Sequence, residues 1–484
     1  MMQTQYLQRM LIGLGLVMAL AVPWASASTN YYVVAPGQST PTPPWTNWGL
    51  AHTNLFEVVA VARDNDTVYM TNNAKYYLTN QITLNYAIMV RSWGPGGILD
   101  PINTIIDANI PGAATTNRHF SLNNYGATLA GLTLTNGWDT SYATNVASGG
   151  AILIYYGIVT NCIIMRNYAM NPHSDYNRAG GGGIYMGVNT ANSGGVWNCT
   201  VSGNSAYQSG GGISVFRGGP WKIMNCTVSG NSARGKSNSG GGIYLNPVDL
   251  TSTIISNCWV ISNYCIWYSG GVFLNYTAQC HDSVIIGNTA EFYEGGGIRM
   301  GANSLVRNCL IANNLCLSNT ADGGGIAISG RALIQNCTIV SNTSTARTGG
   351  VRATQATKIE NSIIWGNSGS GSYSNWYIYP STNPAASGWG GYTTNTFTNC
   401  CTSPQIVDVC AAEVNTITND PRFVNNVTDF RLQSGSPCIN AGVNREWMEN
   451  ALDVYGNRRI DNFRKTVDIG AYEYLSRGTL FGFQ

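Results

Sequence analysis

Charge is scarce in this chain. Only 10% of its residues are Asp, Glu, Lys or Arg, against roughly a quarter in ordinary globular domains. The formal balance is +2, so no basic face offers itself to nucleic acid or anionic lipid. Histidine is rarer still. His52, His119, His173 and His281 fall at unrelated positions, so no zinc-ligating cluster is spelled out. Nucleophile elbows, Gly-His-Gly and paired Asp-Asp strings are missing. The calcium-binding nonapeptide is missing too, because no Asp follows the glycines. Past the N-terminus there is no apolar run of about 18 residues, the length a membrane helix needs.

What the chain does have is a leader and a repeat. Met1–Arg9 carries a positive charge, Met10–Val22 is apolar, and Ala25-Ser26-Ala27 reads as a cleavage site. We therefore expect residues 1–27 to be a signal peptide and the mature chain to be exported, without a membrane span. Glycine reaches 57 of 484 residues, which suits repetitive β structure with polar, uncharged turns.

The repeat shows best in Asn225-Cys226-Thr227-Val228-Ser229-Gly230-Asn231. An Asn opens each unit at 161, 198, 225, 257, 308, 336 and 361, with Asp282 once in its place, and a second Asn follows at 167, 204, 231, 263, 288, 314, 342 and 367. Between them, one apolar slot (Ile164, Val201, Val228, Val260) shares a face with a Cys or Ser slot, the spacing of a strand. The slot before the first Asn (Val159, Val196, Ile223, Ile255) is out of phase with both, so the chain bends at the Asn. A third strand opens on glycines, as in Gly210–Ile213 and Gly240–Ile243. Three short strands per unit, repeating every 28 residues or so, predict an all-β solenoid, a right-handed parallel β-helix. Stacked coils sit about 4.8 Å apart, so both asparagine columns read as amide ladders. The Asn-Cys-Thr triplets at 198, 225 and 336 then belong to a ladder and are not read as glycosylation sites.

Cysteine follows the same columns. Of thirteen cysteines, Cys162, Cys199, Cys226, Cys258, Cys309 and Cys337 fill one slot in successive units and read as a stack of free, buried thiols. Any disulfides are expected among Cys400, Cys401, Cys410 and Cys438.

The ends depart from the repeat. Residues 28–135 read as an N-terminal cap with opening coils, Leu50–Ala62 having helical spacing. Regular coils are expected over 136–367, a large loop rich in Gly, Ser and aromatics over 368–399, and a closing segment over 400–484. That segment carries Asp420-Pro421-Arg422-Phe423-Val424, Asp429-Phe430-Arg431-Leu432, Gly435-Ser436-Pro437-Cys438-Ile439-Asn440-Ala441-Gly442 and Asp468-Ile469-Gly470-Ala471-Tyr472-Glu473. These strings resemble the closing segment of bacterial secreted β-helix proteins of the choice-of-anchor Q type, within the pectate-lyase-like β-helix superfamily. The run Gly149-Gly150-Ala151-Ile152 is also similar to repeats of polymorphic outer-membrane adhesins. The resemblance implies an exported, surface-associated bacterial protein.

Candidate functional residues lie in the loops between the second Asn and the next glycines. Tyr176, Tyr207, Trp267, Tyr268, Phe292 and Tyr293 stack there as an aromatic stripe suited to an extracellular polysaccharide or a surface protein. Glu294 and Asp322 precede the glycines of successive coils, which puts two carboxylates roughly 5 Å apart, a spacing used by retaining glycosidases. The same pair could share a calcium ion, although neither a third acid nor any other cofactor is indicated. Two functions compete on this reading. One is a non-catalytic scaffold or adhesin binding through the loop face; the alternative is a polysaccharide lyase or glycoside hydrolase.

Overall fold

The computed structural model describes residues 28–109, 117–139, 149–169, 180–187, 194–235, 238–247, 252–354, 356–370, 373–378, 395–404, 411–460 and 465–475. The leader expected at 1–27, Tyr176 and Cys410 lie outside the described residues.

Every coil turns through the same stations. In one coil, Gly195–Trp197 lies in a 14-stranded sheet, Thr200–Ser202 in a 12-stranded sheet, Ser205–Ala206 in an 8-stranded sheet and Ile213–Phe216 in an 11-stranded sheet. We number these sheets 1 to 4 in that order. Each strand pairs in parallel with its equivalents in neighbouring coils: Val159, Val196, Ile223, Ile255, Cys280, Val306 and Ile334 follow one another in register along sheet 1. The chain is a parallel β-solenoid. Three of the sheets correspond to the strands expected from the repeat; sheet 3 is an addition. Its strands are two residues long, such as Tyr168–Ala169 and Ser232–Ala233, too short to impose an alternation on the sequence.

Two of the bends share one construction. At the first, the opening Asn adopts the left-handed conformation (φ 52° at Asn198, 54° at Asn225, 51° at Asn257), and the next residue, Cys or Ser, turns inward. Asn enters this region more readily than other side chains that carry a Cβ. At the second, a left-handed residue such as Gly230 or Ser262 precedes the inward Asn. In both, the inward residue accepts a backbone N–H from the preceding coil. Cys226 N donates to Cys258 Sγ (3.4 Å) and Cys258 N to Ser283 Oγ (3.0 Å). Asn204 N donates to Asn231 Oδ1 (2.9 Å).

The two asparagine columns therefore differ in kind. The second is buried and continuous: Asn204 Nδ2 donates to Asn231 Oδ1 (3.0 Å) and back to the Ile164 carbonyl (2.9 Å), and the pattern repeats to Asn375. The first column faces outward. Its amides bond one another along the surface, Asn225 to Asn198 (3.0 Å) and Asn257 to Asn225 (2.8 Å).

The third corner needs glycine for space. A Cβ on Gly241 would lie 2.3 Å from the Tyr264 carbonyl and 2.5 Å from that of Gly270. Inside the coils, Ile213, Val215, Ile243 and Leu245 join the sheet 1 and sheet 2 columns in one continuous core. Every cysteine among the described residues is buried with a free thiol, and burial pushes Cys265 and Cys400 up to about 12, so these thiols stay protonated.

At the N-terminal end, the helix Leu55–Val61 is capped by Asn54 Oδ1, which accepts the Phe56 N–H (3.0 Å), and it lays Leu55, Val58 and Val59 on the first coil. At the other end the structure corrects one expectation. The segment 368–399, read as a large loop, carries two coil strands: Trp376–Ile378 pairs with Val351–Ala353, and Asn395–Thr398 with Lys358–Glu360. Its Gly- and Ser-rich composition concealed the register.

Past Asn419 the chain leaves the stack and lies along its side. Phe423, Phe430, Leu432, Cys438 and Ile469 cover Val284, Leu310, Ala312, Val340 and Ile363 on the outer face of sheet 2. In the two coils that contain Cys199 and Cys226 the same outward positions are Thr200, Ser202, Thr227 and Ser229. The segment is fastened to the outward asparagine column. Asn308 Nδ2 donates to the Leu452 carbonyl (2.7 Å), Asn361 exchanges two bonds with Val443 (2.8 and 2.9 Å), and Asn399 Nδ2 donates to the Ala441 carbonyl (3.1 Å). Fully buried Arg459 ties these parts together, donating to Asn308 Oδ1 (2.8 Å), the Gly470 carbonyl (2.6 Å) and Glu473 Oε1 (2.5 Å).

Candidate functional site

Four of the six aromatic candidates come together where sheet 3 turns into sheet 4. Trp267 and Tyr293, on successive coils, stack at 4.8 Å with their planes 16° apart. Tyr268 lies 4.7 Å from Tyr293, and Phe292 lies 6.3 Å from Trp267 with 54% of its surface exposed. The coil repeat produces this contact, since Tyr293 N donates to the Trp267 carbonyl and fixes one ring over the other. Tyr207 sits two coils earlier against Gly235, away from the cluster.

Arginines complete the surface, and the sequence reading did not connect them to it. On the outer face of sheet 4, Phe273, Arg299, Ala327, Arg352 and Tyr377 stand in one register column. The Arg299 guanidinium lies over Tyr268 at 4.4 Å and over Phe273 at 5.3 Å. Phe273 in turn stacks on Tyr244 at 5.0 Å. Burial pushes the Tyr268 hydroxyl up, against the pull of Arg299. The small side chain of Ala327 leaves space above it, and Arg352 reaches across that one coil. Its Nη1 meets Glu294 Oε2 at 2.5 Å, while Arg299 Nε meets Glu294 Oε1 at 3.0 Å.

The two candidate carboxylates are thus both engaged. Each oxygen of Glu294 accepts from an arginine. Asp322, 2% exposed, accepts the Arg347 and Thr348 backbone N–H groups (2.7 and 3.3 Å) and pairs with the Arg347 guanidinium (3.2 Å). A general acid needs an oxygen aimed at a leaving group, and a calcium ion needs several oxygens converging on one point. Here the oxygens are turned to guanidinium and backbone donors. Among the described residues, no three His, Cys, Asp or Glu side chains gather as a metal-binding set, and no helix is long and apolar enough to cross a membrane.

Fold and site together define a parallel β-solenoid with an aromatic–arginine surface on its flank. No family model and no curated protein matches the chain. Among solved structures, the crystal structure of pectate lyase Pel9A aligns over 93% of this chain and 97% of its own, at 14% identity and a TM-score of 0.40. The solenoid assignment itself stands on the strand register.

Proposed function

We propose that this chain is a bacterial secreted or cell-surface β-solenoid of the choice-of-anchor Q type, an adhesin-like scaffold that binds extracellular polysaccharide without cleaving it. The observation that carries this reading is the surface formed by Trp267, Tyr268, Phe292 and Tyr293. Rigid aromatic rings present broad contact area at low entropic cost, and the apolar faces of pyranose rings match it. Arg299 and Arg352 supply donors in fixed positions beside the rings. The engagement of Glu294 and Asp322 by arginines supports binding over hydrolysis, because neither carboxylate is placed to give or take a proton.

A glycan array probed with residues 28–484, beside a Trp267→Ala/Tyr293→Ala variant, tests the proposal. Binding that falls at least tenfold in the variant supports it. Unchanged binding, or new reducing ends or unsaturated products from pectin, alginate or chondroitin that disappear in Glu294→Gln, would sink it.

A further inference from the structure

The N-terminal end of the stack is closed unevenly. On sheet 1, Tyr32 N donates to the Trp45 carbonyl (3.0 Å) and the Tyr32 carbonyl accepts from His52 N (3.0 Å), so irregular backbone covers the first strand. Sheet 4 begins with Ile82–Leu84, and among the described residues no strand pairs on its outer side. Ile82 N donates to the His119 carbonyl and the Leu84 carbonyl accepts from Asn123 N (2.9 Å each), so Thr83 between them turns its backbone N–H and carbonyl to that open edge. A groove of about 310 Å³ runs between the edge and the capping helix. Phe56, Val59 and Ala60 line it from the helix, Ile82, Tyr86 and Ile88 from the sheet side, and no charged side chain enters the lining. Phe56 and Tyr86 are 49% and 41% exposed, and the Arg63 guanidinium lies over the Tyr86 ring at 4.8 Å. Backbone donors and acceptors beside an apolar trough are what an added strand requires.

We propose that this groove takes residues 476–484 of a second copy of the chain as an added strand, joining copies head to tail. Residues 476–484 lie outside the described residues. Their sequence is uncharged from Gly478 onward, Gly478-Thr479-Leu480-Phe481-Gly482-Phe483-Gln484, which matches the uncharged groove. In an extended strand Phe481 and Phe483 share one face; that face fills the trough while the backbone meets Thr83. The chain's own groove is out of reach. Ala471 N donates to Thr338 Oγ1 (2.9 Å), in the coil whose sheet 4 strand, Val351–Ala353, is the tenth of eleven. Ile82–Leu84 is the first, and nine coil steps of about 4.8 Å amount to roughly 43 Å. Tyr474 is held in the closing segment, its N donating to Asp468 Oδ2 (2.6 Å). With 479–483 in the groove, only residues 475–478 remain to make the connection, and extended they span about 14 Å. A strand from another copy has no such limit. One segment and one groove per chain make the contact heterologous, so it propagates into filaments or closes into a ring.

The test uses residues 28–484, which contain every described element. A fluorescein-labelled peptide of residues 476–484 should bind the dilute protein, and a peptide of scrambled order should not. Ala60→Glu, at an exposed position of the helix, puts a charge into the apolar lining without touching the core, and should weaken that binding about tenfold or more. Sedimentation across a concentration series should show self-association that excess peptide suppresses and that Ala60→Glu and Phe483→Asp each abolish. The Phe483→Asp chain should still bind the peptide, because its groove is intact, which separates loss of the contact from loss of folding. A monomer at every concentration, equal binding of the scrambled peptide, or association that the peptide and both substitutions leave unchanged overturns the inference.

Discussion

Replacing Asn263 by alanine removes one rung of the inward amide ladder, and the structure says what each neighbour loses. The Asn231 backbone N–H and its Nδ2 both donate to Asn263 Oδ1 (2.9 and 3.0 Å), and the Val228 carbonyl accepts from Asn263 Nδ2 (2.9 Å). All three groups lie inside the stack, where water cannot take over. At about 1–3 kcal/mol for each buried polar group left unpaired, three orphans give roughly 3–6 kcal/mol after partial relaxation. Asn257, six residues earlier, makes a fair control because its side chain is exposed and gives one bond, to Asn225. Alanine there meets mainly the left-handed backbone, φ 51°, at about 1–2 kcal/mol. Solenoids need not unfold in one step, so thermal scans should be paired with hydrogen exchange. Asn263→Ala should deprotect peptides spanning 225–235, and Asn257→Ala should leave them protected. Equal effects at the two sites would refute the distinction between inward and outward columns.

Three further outcomes are expected. His119 is fully buried; its Nε2 lies 3.1 Å from both the Ile106 and Thr135 carbonyls, and burial lowers it from 6.5 to about 4. The unfolded chain therefore binds the proton first, so stability present above pH 6.5 is lost as pH falls toward 4, by roughly 3 kcal/mol; midpoints measured across that window should flatten in His119→Gln. Arg459→Met should loosen the lateral segment by about 3–5 kcal/mol, since it leaves the buried Asn308 Oδ1, Gly470 carbonyl and Glu473 carboxyl without their shared donor; limited proteolysis should cut first within 420–475, and an unaltered pattern would contradict the role given to Arg459. Gly241→Ala drives a methyl into two carbonyls and should cost several kcal/mol, read as a lower thermal midpoint, whereas Gly230→Ala, with nothing closer than 4.0 Å, should cost about 1–2 kcal/mol through its φ of 63°.

The solenoid was legible in the sequence because its columns recur at fixed offsets, and Val228 or Asn231 can be placed by counting. The short strands of sheet 3 were not, since a Ser-Ala pair has no alternation to detect. Nor was the coil within 368–399, where Gly- and Ser-rich sequence masks a register held by backbone bonds from 376–378 and 395–398. For the site, counting brought Trp267, Tyr268, Phe292 and Tyr293 to one flank. Arg299 and Arg352 share a register slot with Ala327 between them, which spacing alone presents as a gap. Side-chain reach decides that question: an arginine is long enough to cross one coil and meet Glu294, and sequence spacing does not measure length.

The closing segment also divides the molecule by how freely its length can change. Before Asn257 the outward corners of the described coils bond mainly to each other, so a whole coil can be duplicated or deleted there and its neighbours will close over the join. From Asn308 onward each corner has its own partner in the segment, with Asn308 held to Leu452, Asn336 to Asp468, Asn361 to Val443 and Asn399 to Ala441. Adding or losing one coil there would set every later corner against the wrong partner. Descendants of such a chain can therefore lengthen by internal duplication in the first half, and must keep the number of coils constant in the second.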